Sequence, residues 1–248
     1  MAEGVRVELV DGIAVIRLSR PQVLNALNLD GLRALQEAID RHGRGTDGLV
    51  LTGEGRAFSS GDDLKATDGI DRDTFAQVID GFQEVTRAIM RTDVAVVAAV
   101  NGIAVGGAAE IVCACDVRVG GPATEFLFPE NGLGLTISNG STVTLPALTG
   151  RRALALVLLG QRIGPDRAAE LGLLDVVVSK VEDVVPEAIR VASALSGEGA
   201  ATPLHLQMLR PPTAVIERAL EAEREAAMEA WDRGLPQAGI RRFLETRR

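Results

Sequence analysis

The residues most able to do chemistry lie in one stretch, VAVVAAVNGIAVGGAAEIVCACD, from Val94 to Asp116. An apolar β-rich run, Val94 to Val100, reaches Asn101-Gly102. Gly106-Gly107 follow, and then a helix of small residues, Ala108 to Cys115, that holds one carboxylate, Glu110. Glycines leading from a strand into a helix leave unpaired backbone N–H groups pointing outward, and the positive end of the helix dipole adds to them. Glu110 falls in the first helical turn, close to the same spot. An anion cradle with a carboxylate beside it can polarise a carbonyl and move a proton. Packing is the competing explanation, since Gly-Gly-Ala-Ala also lets a helix approach a sheet with no ligand present. The glycines alone favour packing. The glutamate tips the balance to function, because a buried carboxylate without a partner is costly.

The elements that must position this stretch read as a layered α/β chain. Val5, Val7 and Leu9 alternate with polar residues, Asp11-Gly12 marks a turn, and Ile13 to Leu18 alternates again, which predicts a hairpin. After a proline-bearing loop, Asn28 is an N-cap for a helix from Leu29 to Arg41 with Leu32, Leu35 and Ile39 inward. Asp47 to Gly53 is a buried strand, and Glu54 to Lys65 reads by composition as a polar surface loop. Helices are predicted over Thr74 to Arg91, Arg151 to Gly160, Pro165 to Gly172 and Val184 to Leu195, and strands over Val117 to Val119 and Leu174 to Val178. Thr124 to Thr142, rich in Gly, Asn and Ser, reads as irregular. Beyond Pro203 the chain turns helical, with Thr213 to Arg233 and Gln237 to Arg247. The Glu221, Glu225, Arg218 and Arg224 charges there read as a solvated face with i,i+4 pairs. The division expected is a core over residues 1–195 and a helical region over 196–248.

Composition excludes several functions. The 248 residues carry 26 basic and 34 acidic side chains, a net charge of −8, which argues against nucleic acid and an anionic membrane surface as partners. Hydrophobic content of 46% supports a sizeable core, whereas 3% aromatic content with no Tyr leaves little for base or sugar stacking. Cys113 and Cys115, two apart on an apolar helix with no His nearby, suit neither a disulfide framework nor a metal site and read as small core side chains in a reduced, cytoplasmic setting. The N-terminal MAEGVRVELVDG lacks a signal-peptide core, and no apolar run is long enough to span a membrane. GIAVGG does not have the spacing of a dinucleotide-binding loop.

Four patterns occur together and in order: RPQVLNAL (20–27), GRAFSSGDDLK (55–65), VNGIAVGGAAEIVCACD (100–116) and FPENGLGL (128–135). The combination resembles the crotonase superfamily, the enoyl-CoA hydratase/isomerase family. The resemblance extends through 147–178 to the tail AGIRRFLETRR. It implies a spiral of ββα units with a C-terminal helical trimerisation region, assembling as a homotrimer or a dimer of trimers. It also implies an acyl-CoA thioester substrate and no separate cofactor or metal, coenzyme A being part of the substrate. By this resemblance the backbone N–H groups of Asp62 and Gly107 form an oxyanion hole. Glu110 and Glu130, 20 residues apart, are the catalytic pair, Glu110 as base towards water and Glu130 as donor to C2. Ala26, Leu27, Ser60, Lys65 and Phe243 match positions that contact coenzyme A, with Lys65 supplying positive charge. Asp116 matches a family aspartate and reads as a structural strand-end residue.

Two departures carry expectations. Asp62 stands where the family commonly has a small apolar residue, and a carboxylate near a developing oxyanion repels it unless it is turned away or paired. Ile137-Ser138-Asn139-Gly140-Ser141 replaces a glycine-rich run, so an altered acyl pocket for a polar or unusual acyl group is expected. Hydration of a 2-enoyl-CoA is the leading activity. The alternatives are double-bond isomerisation, which needs only one carboxylate, and acyl-CoA binding without turnover.

Overall fold

A computed structural model describes residues 4–197 and 199–246. The chain opens with a hairpin, β1 (Val5–Val10) and β2 (Ile13–Leu18). Asp11 (φ 48°) and Gly12 (φ 84°) both take the left-handed conformation that lets a two-residue turn follow the strand twist. The chain then forms α1 (Leu29–His42), β3 (Gly48–Gly53), β4 (Ala57–Ser59), α2 (Leu64–Thr67), α3 (Arg72–Arg91), β5 (Val96–Val100), β6 (Ile103–Val105), α4 (Gly107–Ala114), β7 (Val117–Gly120) and β8 (Glu125–Leu127). It continues through α5 (Glu130–Leu133), α6 (Ser141–Thr149), α7 (Arg152–Leu159), α8 (Pro165–Leu171), β9 (Val176–Val177), α9 (Val184–Leu195), α10 (Thr202–Leu209), α11 (Thr213–Asp232) and α12 (Leu235–Glu245). The last helix begins two residues before Gln237, and Arg247 lies outside the described residues.

A six-stranded sheet has the order β1-β2-β3-β5-β7-β9, parallel except for the β1–β2 hairpin, and a three-stranded parallel sheet has the order β4-β6-β8. From β3 to β8, successive strands therefore alternate between the sheets. Each pair of strands followed by helix advances one place on both, and this produces the spiral. The large-sheet strands GLVLTG and VVAAV are apolar along their whole length because both faces are covered. Leu49, Leu51, Val96 and Ala98 pack with α1, α3 and α4. Val50, Val97 and Ala99 meet Val184, Ala188 and Ala192 of α9 on the other face.

Three sequence expectations change. The stretch from Glu54 to Lys65 contains β4, whose Ala57, Phe58 and Ser59 are buried; three residues are too few for polar composition to reveal a strand. The Thr124–Thr142 segment holds β8, α5 and the start of α6. On α11, Arg224 and Glu217 pair across to Asp80 and Arg87 of α3 rather than along the helix, while Arg218, Glu221 and Glu225 stay exposed as expected and Glu229 makes an i,i+4 pair with Arg233.

Asp116 is the structural residue its position suggested. Its Oδ2 accepts from the Val96 amide at 2.7 Å, and Arg210, at the end of α10, reaches both of its oxygens at 2.8 and 2.7 Å. Arg210 also donates to the Thr92 carbonyl at 2.8 Å. This nearly buried pair ties the C-terminal helices to the large sheet. Arg210→Ala strands a buried carboxylate and is expected to destabilise the fold by about 3–5 kcal/mol, measured as the shift in urea unfolding midpoint against the wild type.

Candidate active site

The site forms where the two sheets hand the chain to α4. Gly106 (φ 55°, ψ −131°) occupies a backbone region open essentially to glycine, and it turns β6 into the helix with no side-chain cap. The first intrahelical donor is the Glu110 amide, 3.0 Å from the Gly106 carbonyl, so the Gly107 N–H at the helix start has no intrahelical acceptor. Alongside runs the segment from Ser60 to Asp63. It forms a parallel bridge with Leu27, in which the Leu27 amide donates to Gly61 at 2.8 Å and the Asp63 amide to Leu27 at 3.0 Å. In a parallel bridge the flanking groups make the bonds, so the Asp62 N–H faces the other side of the strand. A methyl group placed on Gly61 would stand 2.3 Å from the Val105 carbonyl oxygen and 3.6 Å from the Gly107 nitrogen. Only glycine allows this approach, which sets the Asp62 peptide beside the Gly107 amide.

Two carboxylates close the site. Glu110 is 1% exposed, and its Oε2 accepts from the Ser138 amide at 3.0 Å and the Asn139 amide at 3.3 Å. Glu130, in the first turn of α5, is 4% exposed, and among the described residues neither of its oxygens has a hydrogen-bond partner. A methyl on Gly106 would stand 3.2 Å from Glu130 Oε1, so this carboxylate lies against the turn that presents the Gly107 amide. Burial pushes Glu130 up to about 7. Burial, then the charge of Glu130, then that of Glu223 hold Glu110 well above the usual carboxylate range, against the pull of the Ser138 amide.

Asp62 does not aim its carboxylate at this site. Both oxygens take the Thr67 hydroxyl, at 2.9 and 3.1 Å. Burial pushes the group up to about 7 from an ordinary 3.8, with the Thr67 hydrogen bond opposing and Asp63's charge adding. A carboxyl raised in the folded state contributes its stability below its unfolded value and loses it as pH rises through the folded value. Asp62→Asn is therefore expected to raise the melting temperature more at pH 8 than at pH 5, read by paired thermal scans.

Residues 8–248 match the model of the family described as enoyl-CoA hydratase/isomerase. The chain belongs to the enoyl-CoA hydratase/isomerase family. It is 32% identical to a probable enoyl-CoA hydratase of Rhodobacter capsulatus, with 98% of this chain and 95% of the relative aligned. It is likewise 32% identical to a short-chain-enoyl-CoA hydratase of Clostridium acetobutylicum, over 95% of this chain and 92% of that one. A crystal structure of an enoyl-CoA hydratase/isomerase from Mycobacterium paratuberculosis superposes with a TM-score of 0.86 at 29% identity, covering 98% of this chain and 99% of the other. The crotonase fold and its C-terminal helical region are those of the family.

Among the residues matched to coenzyme A contacts, Ala26, Leu27 and Ser60 come together beside Asp62. Their amides are already donated, Ala26 to Val23, Leu27 to Gly61 and Ser60 to Leu24, and the Ala26 and Leu27 carbonyls already accept from Arg20 and from the Asp63 amide, so a ligand's donors would share those oxygens through their second lone pairs. Lys65 is exposed on α2. Phe243 is half-buried on α12, which packs on α5, the helix of Glu130. Cys113 and Cys115 are buried, and burial pushes the Cys113 thiol up to about 12, so it stays neutral. Sequence reading missed Glu223, 3% exposed on α11. The signal was present: Ile216, Leu220, Glu223, Ala227 and Trp231 form one buried stripe, and a glutamate interrupts it.

Proposed function

We propose that this family member hydrates a 2-enoyl-CoA to the 3-hydroxyacyl-CoA. The observation that carries the reading is Glu130, a buried carboxylate with no hydrogen-bond partner on another side chain among the described residues, set against the glycine turn that offers the Gly107 amide. The Asp62 and Gly107 N–H groups hold the thioester oxygen as it gains enolate charge. Water adds to C3 and gives a proton to Glu110, while Glu130 delivers a proton to C2. Passage of the proton from Glu110 to Glu130 restores the starting state. The pair shares one proton near neutrality. The Ser138 and Asn139 amides favour the anion on Glu110, which leaves the shared proton on Glu130. With Glu130 neutral, its repulsion of Glu110 disappears.

A binding protein without turnover would draw support from a carboxylate beside the oxyanion and from the replaced glycine-rich run at 137–141; the turn of Asp62 towards Thr67 weakens the first of these and leaves the second. Isomerisation is the second reading. It needs one carboxylate to carry a proton along the acyl chain, and the unpartnered Glu130 favours it. Asn139 Oδ1 and Thr136 Oγ1 also lack protein partners among the described residues, which supports an acyl group bearing hydrogen-bonding atoms. Coenzyme A is part of this substrate, so the reaction uses no further cofactor. The protein works in the cytoplasm as a homotrimer or dimer of trimers, whose contacts would cover exposed leucines such as Leu154, Leu158 and Leu159 of α7.

The test is a panel of straight-chain and polar enoyl-CoAs, followed by loss of the enone absorbance and by product mass. A gain of one water, fastest on a polar acyl chain, is expected. Product of unchanged mass with a moved double bond contradicts hydration, and equal rates across the panel contradict the polar pocket.

A further inference from the structure

Residues 138–142 form the wall on which Glu110 rests, and side chains from two helices hold that wall in place. From α3, Gln83 Nε2 donates to the Ser138 carbonyl at 2.9 Å and Thr86 Oγ1 to the Asn139 carbonyl at 2.8 Å. From α11, Glu223 accepts from the Gly140 amide at 2.7 Å and from the Thr142 amide at 2.7 Å, and it also takes the Thr142 hydroxyl. Gly140, in the left-handed conformation at φ 91°, begins α6 and has no side chain to cap it. A carboxylate from another helix fills that role, where negative charge at a helix start is favourable. The rest of the buried α11 stripe is apolar, so packing alone does not call for an acid at 223.

We infer that Glu223 is a positioning residue for Glu110: by pinning Gly140 and Thr142 it fixes where the Ser138 and Asn139 amides meet the catalytic carboxylate. The inference rests on the reading of Glu110 as the base towards water. It makes the C-terminal helices part of the active-site geometry. The negative charge of Glu223 also acts on Glu110, as does that of Glu130 on α5. Cys113, one turn along α4, faces the same pair as a neutral thiol. The other charges of the α3–α11 seam are paired among themselves, Arg87 with Glu217 and Glu84, and Arg224 with Asp80.

Glu223→Gln keeps the shape and removes the charge. Its kcat for hydration is expected to fall ~10–100-fold, the scale of a misplaced catalytic group, with KM nearly unchanged. The acid limb of the kcat/KM profile is expected to move to lower pH by about half a unit or more, because a like charge beside Glu110 has gone. Glu223→Asp keeps the charge and falls one methylene short; its kcat drops while the acid limb stays at the wild-type position. A Glu223→Gln protein whose limb does not move, or whose kcat is wild-type, overturns the inference. Should that variant not fold, Glu223→Asp decides, and a wild-type kcat there overturns it. A wild-type protein that hydrates no enoyl-CoA removes the hydratase reading and this inference with it, whereas an active wild type with unresponsive variants removes the inference alone.

Discussion

Glu130→Gln is expected to lower kcat for hydration by ~10²–10⁴-fold, the range for losing a general acid or base, while the protein stays folded. The substitution is nearly isosteric, and no hydrogen bond from a described residue to the carboxylate is lost. Stability should even rise at alkaline pH. The Glu130 carboxyl is raised from 4.5 to about 7 in the folded protein, so its contribution to stability is complete below 4.5 and lost as pH rises through 7. Glutamine does not ionise and escapes that loss. A folded variant with a higher melting temperature at pH 8 and collapsed hydration separates the chemical role from a structural one. If the same variant still moves the double bond of an enoyl-CoA, the isomerase reading gains what hydration loses.

The second large effect is expected at Gly107. A methyl group there would stand 2.5 Å from the Phe82 ring, which is itself buried on α3. The start of α4 must shift to relieve the contact, and the amide proposed to hold the thioester oxygen shifts with it. Gly107→Ala is therefore expected to cost ~10²–10³-fold in kcat, the loss seen when one oxyanion donor is removed. Adding Phe82→Leu makes room for the methyl, and the double variant is expected to recover part of the rate. Single-turnover kinetics on the three proteins checks this; wild-type kcat in Gly107→Ala contradicts it.

Part of the candidate site was legible in the sequence from residues that look out of place, whereas Glu130 sits in ordinary turn chemistry and only the resemblance singled it out. Glu110 sits among Ala, Ile, Val and Cys, and Gly106-Gly107 sits where a strand must become a helix. The odd large-sheet strands were legible from their unbroken apolar runs, and Asn28 announced α1. β4, β6 and β8 were not: three residues each, they carry no periodicity, and their pairing comes from the spiral. The direction of the Asp62 side chain could not be read either, because it depends on Thr67, a residue whose own composition signal is that of a loop. Glu223 shows a different limit. Charge counting placed the acids of α11 in solvent, and only their phase on the helix separates this one from Glu221 and Glu225.

The most direct test of the central claim is a crystal structure with a saturated acyl-CoA bound. The thioester oxygen is expected within ~2.7–3.1 Å of both the Asp62 and Gly107 nitrogens, with the acyl C2 and C3 between the carboxylates of Glu110 and Glu130. A thioester bound away from those amides, or carboxylates opening into separate cavities, would contradict the account.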